Sequence, residues 1–386
     1  MKKKIAILGS TGSIGKSTLQ VIKNDKKSFD IILLSANNNY KKLIHQAKEF
    51  KAKNVLIKNK KFYSKVKKSL KKTNVFTGDI SIKKIIRKKI DYTMSAIVGI
   101  SGLQPTIDAV EVSKTVAIAN KEAIICGWNI LSKYIKKNKT EILPVDSEHF
   151  SIMELCKDIK DDEIEEIIIT ASGGPFLNVS KKKMLKAKPL QAVNHPNWKM
   201  GNKISIDSAN LMNKVLEVIE AWKLFKFNKK KYRVVIHPQS YVHSIIRFKN
   251  GLIKMVLHNT DMKIPITNTL YGKESHVYNV KRINTKILNN MSFKNVDKKR
   301  FPSVKLINRC LNSGQQTPTI INASNEVLVN LFLNGKIDFF DIVKTIERIF
   351  KDKEFKKYAQ KKPKSVKDVK IIDKWARLKT INMCVR

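Results

Sequence analysis

The chain has 386 residues, 42% of them hydrophobic and 28% charged, with 77 Lys and Arg against 32 Asp and Glu for a net charge of +45. This length allows two or three domains, each burying a core, and the composition is that of a soluble globular protein, which excludes a disordered one. No apolar run approaches a membrane span, and the apolar stretch after MKKK runs straight into a glycine-rich turn, so it reads as a strand and not a signal peptide.

The first 146 residues alternate short apolar runs with amphipathic stretches. KKIAILG, DIILLSAN, NVLI (54–57), DYTMSAIVG (91–99), TVAIAN (115–120) and EILPVD (141–146) read as strands, and GKSTLQVIKN, YKKLIHQAKEF and LQPTIDAVEVSK as helices between them. The alternation predicts an α/β, doubly wound, mostly parallel sheet of the Rossmann-like kind over 1–146. Residues 147–271 change pattern. A helix at 151–159 and a strand at 163–171 lead into a long polar stretch, 172–203, then a helix at about 208–226 and three strands, which predicts an α+β unit. Residues 272–300 read as a connector, and 301–386 as a C-terminal α-helical domain.

GSTGSIG (9–15) follows the first strand and opens a helix. Gly9, Gly12 and Gly15 allow a tight turn and close approach of the backbone to a pyrophosphate at the helix N-terminus. An ordinary βα turn is the bland alternative. In PVDSEHF (144–150), Asp146 and Glu148 flank Ser147, with His149 next; read as extended, the segment points both acids one way. Like charges held together need a cation between them. In the predicted helix 208–226, Asn213 and Glu217 share a face with Lys214 beside them, and alone they read as a solvated face. Three carboxylates together suit an oxygen-ligated Mg2+ or Mn2+ and disfavour zinc.

The basic excess admits a nucleic-acid binder. Only nine of the basic residues are Arg, however, and Lys is spread through every region beside abundant Ile and Asn, a pattern that AT-rich codons explain better. No clustered Arg or aromatic stacking platform appears, so neither a specific nucleic-acid partner nor a membrane is expected. Cys126, Cys156, Cys310 and Cys384 form no C-x-x-C, which fits a reduced, cytoplasmic setting.

GSTGSIG, AIVGISGLQPT, ANKE, LPVDSEH, TASGGPF, HPNWKMGNKISIDSA, MNKVLE, IHPQSYVHS and NASNE occur in an order that resembles the 1-deoxy-D-xylulose 5-phosphate reductoisomerase family over nearly the whole chain. The resemblance implies rearrangement of 1-deoxy-D-xylulose 5-phosphate and reduction with NADPH to 2-C-methyl-D-erythritol 4-phosphate, in the methylerythritol phosphate route to isoprenoids. It also implies a V-shaped homodimer, sensitivity to fosmidomycin, and a divalent cation (Mn2+, Mg2+ or Co2+). Asp146, Glu148 and Glu217 match the family's metal ligands, and Lys121 and Ser147 match residues near the substrate's reacting end. Ser172, His195, Ser208, Asn213 and Lys214 match the set that binds the rest of the substrate, mainly its phosphate. Trp198 and Met200 match a mobile flap within 172–203. Thr11, Gly12, Ser13, Ile14, Asn120 and Glu122 match cofactor contacts, with Gly9, Asn37, Asn38, Asn39 and Gly201 beside them.

His149 is expected to support the acids by hydrogen bonds, and His237 and His243 to be structural. Where the family often has Gly-Lys-Asn, this chain has Asn37-Asn38-Asn39. Val215 replaces a common glycine, and Asn210 a common threonine. A dehydrogenase of another sugar phosphate is the nearest rival; it would not need three carboxylates.

Overall fold

The computed structural model describes residues 2–198, 200–272, 274 and 283–384. Its N-terminal apolar runs become seven strands: β1 (Lys3–Leu8), β2 (Phe29–Ala36), β3 (Asn54–Ile57), β4 (Asn74–Thr77), β5 (Ile90–Ser95), β6 (Ser113–Ile118) and β7 (Glu141–Pro144). They pair in the order β4-β3-β2-β1-β5-β6-β7, every pair parallel. Helices cover both faces of such a sheet, so strand residues bury continuously and do not alternate; Ile5 to Leu8 are all at 0% exposure. The chain leaves β1 towards β2 on one side and returns as β5 on the other. That switch point opens a crevice at the C-terminal ends of β1 and β5.

The sequence reading missed β4 and the long helix Lys121–Asn138. Asn120 begins that helix, its side chain accepting from the amide of Ala123 at 2.6 Å.

The described residues divide into two compact units. The first holds those of 1–123, 127–150 and 261–280. Helix Lys263–Tyr271, expected with the central domain, belongs to this first unit. Its Ile266 and Leu270 join the core formed by Ile5, Leu34, Val55 and Met94. Its Thr269 hydroxyl meets that of the fully buried Tyr92 at 3.1 Å.

The second unit holds the described residues of 124–126, 151–260 and 281–386, where the sequence suggested separate central and C-terminal domains. Its mixed sheet contains β8 (Ile164–Ala171), β9 (Tyr232–Ile236), β10 (Val242–Phe248), β11 (Ile253–Leu257) and β12 (Lys294–Asn295), ordered β11-β10-β8-β9-β12. Only β8–β9 is parallel. The expected helices of the C-terminal part are present, among them Thr317–Leu333 and Val366–Cys384, packed through Ile320, Ala323, Ile372 and Ala376.

Three local expectations need correction. Ser147 does not continue an extended segment: it opens helix Ser147–Leu155, and Asp146 accepts the amide of Glu148 at 3.2 Å. The helix expected over 208–226 is two, Asn202–Ala209 and Met212–Phe225. They break at Leu211, whose φ is 61, while Asn210 accepts the amide of Met212. The stretch 172–203 is not structureless. It contains helices Lys181–Leu185 and Pro189–Val193, the first capped by Ser180 and the second started by its proline.

Candidate active site

In the first unit, Gly9-Ser10-Thr11-Gly12 turns β1 into helix Ser13–Lys23. Gly9 has φ +83, and a Cβ there would lie 2.7 Å from the Ala96 carbonyl oxygen. One at Gly15 would lie 2.4 Å from the Gly9 oxygen. Both glycines serve packing. Gly12 is exposed, and its nearest obstruction to a Cβ is 3.3 Å away. No side chain caps the helix that follows, so the amides near Ser13 and Ile14 face open space that suits a pyrophosphate. Ser10, tied to Gln46 at 2.8 Å and through its amide to the Ser35 carbonyl at 2.9 Å, fixes the turn from below.

Asn37, Asn38 and Asn39 are exposed at the end of β2. Asn39 caps helix Tyr40–Glu49 by accepting the Lys42 amide at 3.2 Å, and Asn38 accepts from the Asn59 side chain at 2.9 Å. The Asn120 side chain, besides capping its helix, donates to the carbonyl oxygens of Ile97 and Gly99. A side chain so engaged anchors the loop after β5. Glu122, 6% exposed, sits in the first turn of the same helix, where the dipole favours an anion.

The acid turn lies at the end of β7. Asp146 Oδ1 accepts from His149 Nδ1 at 2.9 Å, and its Oδ2 stands 3.4 Å from the Lys121 ammonium. Ser147 donates to Glu148 Oε2 at 2.5 Å. His149 is fully buried, so its bond fixes the Asp146 carboxylate, as expected from the sequence.

In the second unit, two left-handed glycines, Gly173 (φ +84) and Gly174 (φ +63), follow Ser172. A Cβ on Gly174 would lie 2.8 Å from the Ser208 carbonyl oxygen, so glycine lets the Ser172 turn approach helix Asn202–Ala209. His195 Nδ1 accepts the amides of Asn197 (3.1 Å) and Trp198 (3.0 Å), which leaves the proton on Nε2 to donate to Ser172 Oγ at 2.9 Å. Burial, and then the Lys214 charge, push His195 down to about 4. The ring is therefore neutral at neutral pH. Ser172 Oγ also accepts the Gly174 amide at 3.0 Å, so its own proton is directed outward as a donor.

The Asn197 side chain donates to the Pro238 carbonyl (2.7 Å) and to Ser240 Oγ (2.8 Å). Trp198 is half-buried, edge-on to His243 with ring centroids 6.2 Å apart. Met200 is half-buried, and Gly201 is exposed at the start of helix Asn202–Ala209. Ser208, on that helix, is half-buried.

On helix Met212–Phe225, Lys214 and Asn213 both bond the carboxylate of Glu217, Lys214 at 2.7 Å. Glu217 is 1% exposed and Lys214 7%, so this face is not solvated.

His237 donates from Nδ1 to the Ser292 carbonyl at 3.0 Å and accepts the Tyr241 amide at 3.3 Å, a structural role as expected. His243 stacks on His258 at 3.8 Å and also flanks Trp198. Sequence reasoning missed buried Asp207, which receives Lys203 at 3.0 Å and the Asn325 amide group at 2.7 Å. The asparagine-rich NASNE stretch was the one signal, and it carried no partner.

Three family models match the chain: 1-deoxy-D-xylulose 5-phosphate reductoisomerase over residues 5–127, its C-terminal domain over 142–225, and DXP reductoisomerase C-terminal domain over 257–379. A curated 1-deoxy-D-xylulose 5-phosphate reductoisomerase from Pelagibacter ubique (strain HTCC1062) is 48% identical, covering 99% of this chain and 100% of its own. The chain belongs to the 1-deoxy-D-xylulose 5-phosphate reductoisomerase family. The reductoisomerase of Wolbachia pipientis wMel is 42% identical over 89% of both chains. Among solved reductoisomerases, that of Zymomonas mobilis in complex with NADPH superposes with a TM-score of 0.92 at 35% identity over 100% of both chains. Another, in complex with NADPH, fosmidomycin and magnesium, gives 0.93 at 32% identity over 99% of this chain and 98% of its own.

Proposed function

We propose that this chain rearranges 1-deoxy-D-xylulose 5-phosphate and reduces the product with NADPH to 2-C-methyl-D-erythritol 4-phosphate. The observation that carries the reading is a buried carboxylate, Glu217, on a helix beside a phosphate-ready set, in a family member that keeps the Asp146–Glu148 turn.

Asp146, Glu148 and Glu217 would hold one divalent cation. All the donors are carboxylate oxygens, which fits Mg2+ or Mn2+, with Co2+ as a substitute. When bound, the cation supplies Lewis acidity to the vicinal oxygens of the ketose, and NADPH supplies the reducing equivalent. The rest falls to the chain. Lys121, close to Asp146, holds a proton near the reacting oxygens, with Ser147 beside it. His149 keeps Asp146 in orientation. Ser172 directs its proton at the phosphate, with Ser208, Asn213, Lys214 and His195 completing the cradle. Trp198 and Met200, on the segment 172–203, cover the substrate and exclude water. Thr11, Gly12, Ser13 and Ile14 seat the pyrophosphate of NADPH on the turn that Gly9 shapes, while Asn37 to Asn39, Asn120, Glu122 and Gly201 border the rest of the cofactor.

A homodimer is part of this reading. It is supported by β11, an edge strand that leaves Ile253 (55%) and Met255 (38%) exposed next to Leu252 (57%). A cytoplasmic setting is supported by Cys126, Cys156, Cys310 and Cys384, none of which forms a disulfide. No helix among the described residues is long and apolar enough to cross a membrane.

Incubation with 1-deoxy-D-xylulose 5-phosphate, NADPH and Mn2+ tests the reading. NADPH absorbance falls and the branched product appears. A reduced product with an unrearranged carbon skeleton would instead favour the rival sugar-phosphate dehydrogenase.

A further inference from the structure

Ser208 lies in the last turn of helix Asn202–Ala209, and the chain holds that turn on both sides of it. On one side is Asp207, 1% exposed, whose Oδ1 accepts from Asn325 Nδ2 at 2.7 Å. On the other is Asn210, whose carbonyl accepts from the buried Ser303 hydroxyl. Both holds come from the C-terminal part, Asn325 from helix Thr317–Leu333 and Ser303 from the short turn Pro302–Lys305. Asn325 is fully buried, and its own Oδ1 has no partner among the described residues. A buried amide with an unsatisfied oxygen is a poor packing element, so what this side chain contributes is its bond to Asp207. The Ser172 turn has a separate anchor: the Arg300 guanidinium donates to the carbonyls of Phe176 (2.6 Å) and Leu177 (2.5 Å).

We propose that Asn325 and Ser303 are positioning residues for the substrate phosphate, holding Ser208 in place through Asp207 and through the Asn210 carbonyl. The inference rests on the reading above in taking Ser208 as a phosphate contact. Lys203 meets Asp207 at Oδ2 (3.0 Å), so removing the Asn325 amide leaves Oδ1 buried without a donor. Hydrating that oxygen requires the helix end to turn towards solvent, and Ser208, the next residue, turns with it. Losing Ser303 frees the same turn from its other side. A hydrogen bond weakens steeply with misalignment, so a small rotation removes the Ser208 contact while the helix survives.

The test reads the inhibition constant of inorganic phosphate as a competitor of 1-deoxy-D-xylulose 5-phosphate, in the full chain with NADPH and Mg2+. A competitive constant counts only phosphate at the substrate's own place, so the many surface lysines do not enter. Ser208→Ala should raise it about tenfold, the loss of one charge-assisted bond, and Asn325→Leu should raise it by a similar factor. A double-mutant cycle then separates positioning from general support. Adding Asn325→Leu to Ser208→Ala should change the constant by less than about twofold, because the contact is already gone. Adding it to Ser172→Ala should multiply the two single effects, because Arg300 anchors that turn independently. Ser303→Ala, which removes one hydroxyl, goes through the same cycle with the same expectations, and it decides the matter where Asn325→Leu does not fold. An unchanged constant in the folded variants, or the same factor with and without Ser208, overturns the inference and leaves the phosphate role of Ser208 standing. Equal non-additivity with Ser172 also overturns it, because the whole seat is then loosened. An unchanged constant in Ser208→Ala is a failure of the earlier reading, and the inference falls with it.

Discussion

The three glycines of the first turn look alike in sequence, and the structure separates them. At Gly15 an added Cβ would meet the Gly9 oxygen at 2.4 Å and Ser10 Cα at 2.5 Å. Both are backbone atoms that no rotamer change can move. Overpacking of this kind costs about 1–3 kcal/mol, and contact with backbone places Gly15→Ala at the upper end. In a unit of this size each kcal/mol lowers Tm by about 2–4 °C, so a fall of about 6–12 °C is expected. At Gly12 the only close atom is the Gly9 oxygen at 3.3 Å, and the backbone (φ −74, ψ 179) admits any residue. Gly12→Ala should therefore stay within about 0.5 kcal/mol in stability. Its methyl group would instead stand where the pyrophosphate must come close to the amides, so NADPH affinity should fall at least about tenfold, the loss of one charge-assisted hydrogen bond. Differential scanning calorimetry and titration of NADPH fluorescence read the two effects independently. Equal Tm losses in both variants, or full NADPH affinity in Gly12→Ala, would refute the division into packing and ligand glycines.

Asn38 and Asn39 are engaged with Asn59 and Lys42, and neither brings a charge, so preference for NADPH over NADH is expected to rest on Lys41 or Lys42 in the first turn of the next helix. Replacing the responsible lysine by Ala should cut the ratio of kcat/KM for the two cofactors roughly tenfold; an unchanged ratio in both variants would show that the 2′-phosphate is read elsewhere. Lys181–Lys183, Lys186 and Lys188 are exposed, and trypsin should cut there quickly in the free protein and slowly with a phosphonate inhibitor bound. Equal protection in the two states would count against a lid. His195, held at about 4 against an ordinary 6.5, has a depressed folded value, so its contribution to stability is whole above 6.5 and is lost as pH falls through 4. Its imidazole resonances should show no titration between pH 8 and about 5.5, and a midpoint near 6.5 would contradict the described burial.

What the sequence makes legible follows from how far each interaction reaches along the chain. The parallel sheet is readable because a strand buried on both faces needs an unbroken apolar run, and IAIL and IILL supply one locally. β4 is four residues long and half-buried, which leaves too little pattern to read. The residue types of PVDSEH indicate metal chemistry, but not their conformation, because a short Asp-Ser-Glu run can extend or can cap a helix. Asp146 caps, and Glu148 then lies in the first helical turn, so the cation proposed for the two acids would be met from a turn and not from a strand face. The pair Ser172–His195 is 23 residues apart and Asp207–Asn325 is 118 apart, so only the folded chain brings them together. Helix Met212–Phe225 shows why periodicity misleads at a site. Its apolar positions Val215, Val218 and Trp222 mark one inner face, and the rule assigns Asn213, Lys214 and Glu217 to water. The helix is in fact buried nearly all round, including Glu217, Glu220 and Lys223. A fold gains no stability by burying three charges where apolar side chains would pack. For Glu217 that cost is one packing does not explain, and the proposed cation site would account for it.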